Sequence, residues 1–252
     1  MKVSKNELTA ALKKSFEGLG FSYGDYLDAA AMVTWSEMTG LDGLQTLERA
    51  LPFIDAGNSQ SPALGYRYAD SNNLHPVLDA KGASSLLCGS GIVDLACSLA
   101  RKNHSVMLRV DNCRNRLFAL ERLSNAGQRG LVAAMGWFKE GCFSWATIGA
   151  GQQYPALKKF VCAPIETPLH QSLWLFCSTA EKDCWELMSA ALPELANANK
   201  SEQREPQTLQ QAYADSLEQG IAMPVPLWEK FDLLTARVLV ESTESSRAGA
   251  GE

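Results

Sequence analysis

The sequence has few of the side chains that usually announce chemistry. Its three histidines, His75, His104 and His170, stand far apart, and no metal-ligand spacing can be read from them. The seven cysteines include no C-x-x-C pair, and an odd number cannot close a complete set of intramolecular bridges. Several lie inside apolar runs, where cysteine behaves as a small buried hydrophobe. Basic residues are outnumbered, 23 Lys and Arg against 28 Asp and Glu, and are not gathered into a stripe, so nucleic acid is not an expected partner. No apolar run reaches the ~20 residues of a membrane span. The start, "MKVSKNELTAALKKSF", lacks the apolar core of a signal peptide. A cytoplasmic protein with no membrane partner is the expectation.

What is present is a chain of 252 residues, long enough to bury a substantial core. "SKNELTAALKKSFEGLGF" opens with Ser4 three positions before Glu7, a capping-box spacing, and carries Leu8, Leu12, Phe16 and Leu19 on one face before Gly20. "GDYLDAAAMVTWSEMTG" predicts a second helix closing at Gly40, and "LDGLQTLERALPFIDAG" a third, which Pro52 should end or bend. Residues 59–76 read as a long loop with one edge strand in "LGYRYAD". "PVLDAKGASSLLCG" suggests a hairpin around Lys81-Gly82.

A helix "GIVDLACSLARKN", a strand "SVMLRV", a helix "RLFALERLSNAG" and a strand "LVAAMGW" follow. That alternation signals an α/β layer fold. The stretch beyond Gly141 reads as strand-rich up to "SLWLFCS", then helical from Ala180 to Asn199, with "KSEQREPQT" as a polar linker and two closing helices. "TIGAG" is expected to be a hairpin or bulge, since a lone G-x-G is weak as a phosphate fingerprint. Six scattered tryptophans are expected to anchor the core.

The segment of greatest chemical interest is "DNCRNR", residues 111–116. In one reading Asp111 or Asn112 is a helix cap with solvated arginines behind it. Alternatively, free amides with Arg114 and Arg116 would hold a carboxylate or phosphate. A third reading makes Cys113 a nucleophile whose thiolate is favoured by a helix start and two guanidinium groups. His104 reads as a surface turn residue, while His75 and His170 have no visible partner.

From "VSKNELTAALKKSFEGLGFSYGDYLDAAAMVTWSEMTGLDGL" through "LDAKGASSLLCGSGIVDLACSLARKNHSVMLRVDNCRNRLFALERLSNAGQRGLVAAM", the chain resembles the malate/L-lactate/sulfolactate dehydrogenase family, which uses nicotinamide cofactors on a non-Rossmann fold. More closely, it is similar to a bacterial family of uncharacterised proteins with a V-S-x-N-E start, a "GLDGL" motif before the third helix and a "TESSRAGAG"-like tail. The resemblance implies a sulfolactate-dehydrogenase-like α/β fold, a mixed sheet with flanking helices. It divides the chain into an N-terminal helical segment at 1–57, an α/β body at 58–240 and a polar tail at 241–252. It also implies a homodimer, because the N-terminal segment of the related enzymes packs on a neighbouring subunit, and NAD or NADP as a cofactor.

In that family a D-S-H-G motif supplies one catalytic histidine and an arginine one turn on, and S-N-H-F-G supplies the second. Here Leu44 stands for the first histidine, Glu48 or Arg49 for the arginine, and Cys113, beside the matching Asn112, for the second histidine. The candidate ligand-binding set is Asp42, Arg49, Arg109, Asn112, Arg114, Arg116 and, in the tail beside Ser245 and Ser246, Arg247; the candidate catalytic groups are Cys113 and Glu48. A general acid contributes about two to four powers of ten to such a reaction, and leucine donates no proton. The leading expectation is a divergent relative that binds a small anionic metabolite or nucleotide without the usual hydride transfer. The alternatives are an active NAD(P)-dependent enzyme on 2-oxo or 2-hydroxy acids rebuilt around Cys113 or Glu48, and a structural subunit of a complex.

Overall fold

A computed structural model describes residues 1–62, 64–70, 73–162, 171–195 and 197–238. The chain begins with strand β1 (Lys2–Val3) and helix α1 (Lys5–Gly18), whose Ser4 and Glu7 form the capping box that the spacing predicts. Helices α2 (Tyr23–Met38) and α3 (Gly43–Asp55) follow. Helix α3 runs through Pro52 instead of stopping there. A proline so near the end removes a single helical hydrogen bond, and buried Leu51 and Ile54 keep the last turn in place.

Strands β2 (Gly65–Asp70) and β3 (Asn73–Asp79) form an antiparallel pair, with β2 at the edge that the sequence suggests. The hairpin expected around Lys81-Gly82 is not formed. Both residues are left-handed, as such a turn requires, but Ser84 then accepts from the Leu86 amide and starts helix α4 (Ser85–Asn103) six residues earlier than expected. Strand β4 (Ser105–Asp111) lies parallel to β3, so α4 is the crossover of a β-α-β unit. A 3-10 turn over residues 116–118 leads into α5 (Ala119–Gln128).

Strands β5 (Val132–Lys139), β6 (Cys142–Ile148), β7 (Ala156–Val161) and β8 (Leu173–Ser178) complete the middle of the sheet. "TIGAG" carries the end of β6 into the hairpin connection to β7. Helix α6 is confined to Cys184–Ala191. Pro193 forces the preceding Leu192 out of helical geometry, to φ −128 and ψ 89. The "linker" is instead the edge strand β9 (Asn199–Arg204), followed by α7 (Pro206–Gln219), β10 (Ile221–Ala222) and α8 (Val225–Ala236).

The main sheet has eight strands in the order β2-β3-β4-β8-β5-β6-β7-β9, with only β3 and β4 parallel, and β1 pairs separately with β10. β5 and β8 sit centrally and read as unbroken apolar runs because both their faces are covered. One face packs on α4 and α5 through Ile92, Val93, Leu120 and Leu123. The other carries Phe143, Trp145 and Phe160 under Met188 of α6. A third core joins α1, α2 and α3 to α8 through Leu8, Leu12, Val33, Leu47 and Phe231. Trp137, Trp145 and Trp174 are buried, and Trp35, Trp185 and Trp228 pack against the three cores.

Candidate functional site

The first elements of the site are the two loops at the ends of the parallel strands. The 79–85 loop and the 111–115 loop are tied by backbone bonds: Ala80 N–H to Asp111 O at 2.9 Å, Gly82 N–H to Asn112 O at 2.8 Å, Arg114 N–H to Ala83 O at 2.9 Å, and Ser85 N–H to Arg114 O at 2.8 Å. Ser85 Oγ donates to Asn115 O at 2.6 Å. Asn112 and Asn115 both adopt left-handed backbone, with φ of 55 and 51, a region asparagine tolerates better than most residues. Beyond these reversals the Arg114 side chain meets α3 at Phe53.

Opposite them stands one face of α3. Arg49 and Phe53 are four residues apart and therefore neighbours on the helix surface. The Arg114 guanidinium lies 4.3 Å from the centre of the Phe53 ring. Arg49, Ala50, Phe53, Arg114, Arg116 and Gln171 line a basin of about 280 Å³, above Cys113 and beside Asn115. Arg116 also donates from Nη2 to Phe138 O at 3.1 Å. Burial pushes its pKa down, yet an arginine remains charged at any physiological pH. Neither Arg49 nor Arg114 has a carboxylate partner among the described residues, and no Asp, Glu or His lines the basin there.

Cys113 is fully buried, and its thiol is not at an α-helix start, since a 3-10 turn intervenes and α5 begins at Ala119. Its backbone N–H donates to Gln171 O at 2.8 Å. Its side-chain neighbour is another thiol, Cys88, which is held well above the usual range by the hydrogen bond with Cys113 and then by burial. Glu48 lies on another flank of α3, with Oε1 2.7 Å from Lys230 Nζ on α8. Leu44 is buried.

The other candidates are placed elsewhere. Asn112 donates from Nδ2 to Asp79 Oδ1 at 2.9 Å and holds the two loops together. Arg109 projects from the sheet face opposite α4 and α5, where its Nε and Nη2 meet the Asp111 carboxylate at 2.9 and 3.1 Å. Asp42 occupies the N-cap of α3 in left-handed geometry without a side-chain capping bond. Arg247, Ser245, Ser246 and His170 lie outside the described residues. His104 is an exposed residue at the C-cap of α4. All seven cysteines are free, and no group of three or more His, Cys, Asp or Glu able to hold a metal occurs among the described residues. Nor does any described helix have the length and apolarity to cross a membrane.

The capping role at α3 falls to Glu37, a residue that sequence reasoning passed over. Its Oε2 accepts from Leu44 N–H at 2.8 Å. Burial raises its pKa above the usual carboxylate value, opposed by the amide bonds it accepts. The folded chain therefore holds a proton at Glu37 in a pH range where the unfolded chain has released it. The stability this contributes is complete below the unfolded pKa of about 4.3 and is lost as pH rises through the folded pKa. Glu37→Gln keeps an acceptor for Leu44 but cannot ionise. Urea unfolding between pH 4 and pH 7 should show the wild type losing stability relative to this variant as pH rises, and parallel curves would contradict the assignment.

A nicotinamide dinucleotide would not be enclosed by the described lining of this basin. The basin is at the lower limit of pockets for drug-sized ligands, about 300–1,000 Å³, and a dinucleotide is larger than such ligands. In the glycine turn after β6, the Gly149 amide already donates to Gln152 Oε1 at 2.9 Å, so it is not free for a phosphate.

The family described as Protein of unknown function (DUF3726) matches residues 3–80. No curated protein matches the sequence. Among solved structures, malate dehydrogenase from Pyrococcus horikoshii OT3 is similar with a TM-score of 0.67 at 13% identity, covering 96% of this chain and 97% of that one. Malate dehydrogenase from Entamoeba histolytica gives 0.67 at 12% identity, over 95% and 99%. Sulfolactate dehydrogenase from Methanocaldococcus jannaschii gives 0.64 at 10%, over 94% and 97%. The chain thus has the fold of the malate, lactate and sulfolactate dehydrogenases, and its residues 3–80 match the DUF3726 model.

Proposed function

We propose that this protein binds a small anionic metabolite in the basin between α3 and the 111–116 loop and does not carry out the hydride transfer of the enzymes whose fold it shares. The observation that carries this reading is the convergence of Arg49, Arg114 and Arg116 on one basin with no carboxylate among its described lining residues. Guanidinium groups hold carboxylates and phosphates through paired, charge-assisted hydrogen bonds. The stacking of Arg114 on Phe53 fixes one of them in advance. Hydride transfer to a carbonyl also needs a proton donor within reach. With Leu44 buried, Glu48 paired to Lys230 and Cys113 enclosed beside Cys88, neither of the positions the family uses offers one.

The test is a thermal-shift and calorimetric titration with malonate, succinate, inorganic phosphate, NADH and NADPH. A ligand at a hundred times its Kd stabilises the native state by about 2.7 kcal/mol, worth roughly 5–10 °C for a chain of this size. At least one of the three anions is expected to give such a shift. Because each hydrogen bond to a charged group contributes about 1.5–3 kcal/mol, Arg49→Ala with Arg114→Ala should weaken the anion about 100-fold or more. Saturable binding of NADPH accompanied by reduction of a 2-oxo acid would overturn the reading.

A further inference from the structure

The sheet face turned away from α4 and α5 is only partly covered by α6. Along the gap run two hollows of about 480 and 350 Å³ that meet at His75, Met107 and Leu187, the second reaching round the sheet to Leu99 and Asn103 at the end of α4. Their floor is apolar, made by Val77 of β3, Met107 of β4 and Phe176 of β8, and their wall is Leu187, Ala190 and Ala191 of α6. Leu187 is left 40% exposed. None of these residues lines the arginine basin.

Charge is distributed unevenly along this groove. Among its described lining residues it has Arg109 and Lys182 and no Asp or Glu. Arg109 is already neutralised by the paired contact with Asp111 and rests against the Trp174 ring at 5.6 Å. Lys182, at the opposite mouth, has no carboxylate partner among the described residues, and its Nζ donates to Ser105 Oγ at 2.9 Å. Asn103 lines the same end. Hydrogen-bond donors and a cation without a described carboxylate partner therefore gather at one end of the channel, over an apolar floor. His75, at the junction, has its pKa lowered by burial, so it adds no charge to the middle at neutral pH.

We propose that this groove binds a medium-chain acyl carboxylate, with the carboxylate at Lys182, Ser105 and Asn103 and the chain lying over Met107 and against Leu187 towards Trp174. The length agrees: Ser105 to Arg109 spans four residues of strand, roughly 13 Å, about that of an extended ten-carbon chain. An anionic head with an apolar tail matches both the cationic mouth and the apolar floor, and the tail would cover Leu187.

The probe is decanoate below its micelle-forming concentration, followed by calorimetry and by the His75 imidazole resonance, assigned with His75→Gln. Saturable one-to-one binding that shifts this resonance is expected, with decanol at least about tenfold weaker because it lacks the charge-assisted contact. Lys182→Glu and Leu187→Glu change exposed positions that the fold does not need, and each should weaken decanoate by about tenfold or more. The Arg49→Ala, Arg114→Ala variant should bind it as the wild type does. Absence of saturable binding, or affinity untouched by both groove variants, overturns the proposal. So does loss of binding in the arginine variant alone, which would place decanoate in the basin instead.

Discussion

Gly43→Ala is expected to lower the thermal midpoint by about 6–12 °C, corresponding to roughly 3 kcal/mol for a chain of this length. The cause is backbone against backbone. A β-carbon at this first residue of α3 would lie 2.6 Å from Glu37 N, 2.7 Å from Val33 O and 3.0 Å from Ser36 Cβ, all on α2. Two of these are main-chain atoms that cannot rotate away, so the helices must separate. Overpacking of this kind costs about 1–3 kcal/mol and at times more, which outweighs the gain of up to about 1 kcal/mol from replacing glycine within a helix. Gly91→Ala is the control. Gly91 lies within α4 with nothing within 4 Å of a new β-carbon, so there the propensity gain acts alone and stability should rise. Since α3 also carries Arg49 and Phe53, Gly43→Ala should weaken anion binding as well as the fold, and differential calorimetry with and without malonate reads both effects. An unchanged midpoint would mean that α2 and α3 are not in this close contact.

The same contact shows what a sequence can and cannot announce. The capping box at Ser4 and Glu7, the apolar faces of the first helices and the alternation from α4 to β5 are all periodic signals, and each produced the element expected. Where local signals compete, the reading failed. Lys81-Gly82 has the left-handed pair of a hairpin turn, but Ser84 begins a helix at once, and only the packing of Leu86 and Leu87 into the helical core decides between them. Strand β9 gave no signal because all six of its residues are exposed. Its pairing with β7 is a matter of backbone hydrogen bonds at a sheet edge, which leave no mark on side-chain polarity.

For the candidate site, residue types were legible and directions were not. The sequence points to Arg114 and Arg116 together and the resemblance to Arg49, but the approach of the 111–116 loop to α3 depends on the left-handed turns at Asn112 and Asn115. Strand alternation does separate Arg109 from them. It shares a sheet face with Asp111, two residues on, and the two neutralise each other. Glu48 and Arg49 are consecutive on α3, about 100° apart around its axis, and so face different neighbours, Lys230 and the basin. Glu37 was invisible because its partner, the Leu44 amide, lies seven residues away across a helix turn.

Phe143 and Gly136 should carry the other large effect, in the aromatic layer under α6. Phe143 is fully buried, with ring centres of Phe138 at 4.7 Å, Trp145 at 6.0 Å and Trp185 at 6.4 Å. Its ring tip occupies the space above Gly136 on the neighbouring strand. A β-carbon at Gly136 would overlap Phe143 Cζ and stand 2.8 Å from Trp145 Cε3. Phe143→Ala empties this space and should cost about 3–5 kcal/mol. Gly136→Ala overfills it and should cost about 1–3 kcal/mol. The two losses should not add. With the ring gone, the new methyl enters the vacated volume, so the double variant should recover about 1–3 kcal/mol relative to the sum of the singles, measured by urea unfolding of all four proteins. Strict additivity would show that ring and glycine do not share one space. The Phe138 carbonyl that holds Arg116 belongs to the β5 backbone, so Phe143→Ala should leave malonate affinity intact wherever the protein remains folded, which separates the stability of this aromatic layer from the chemistry of the arginines.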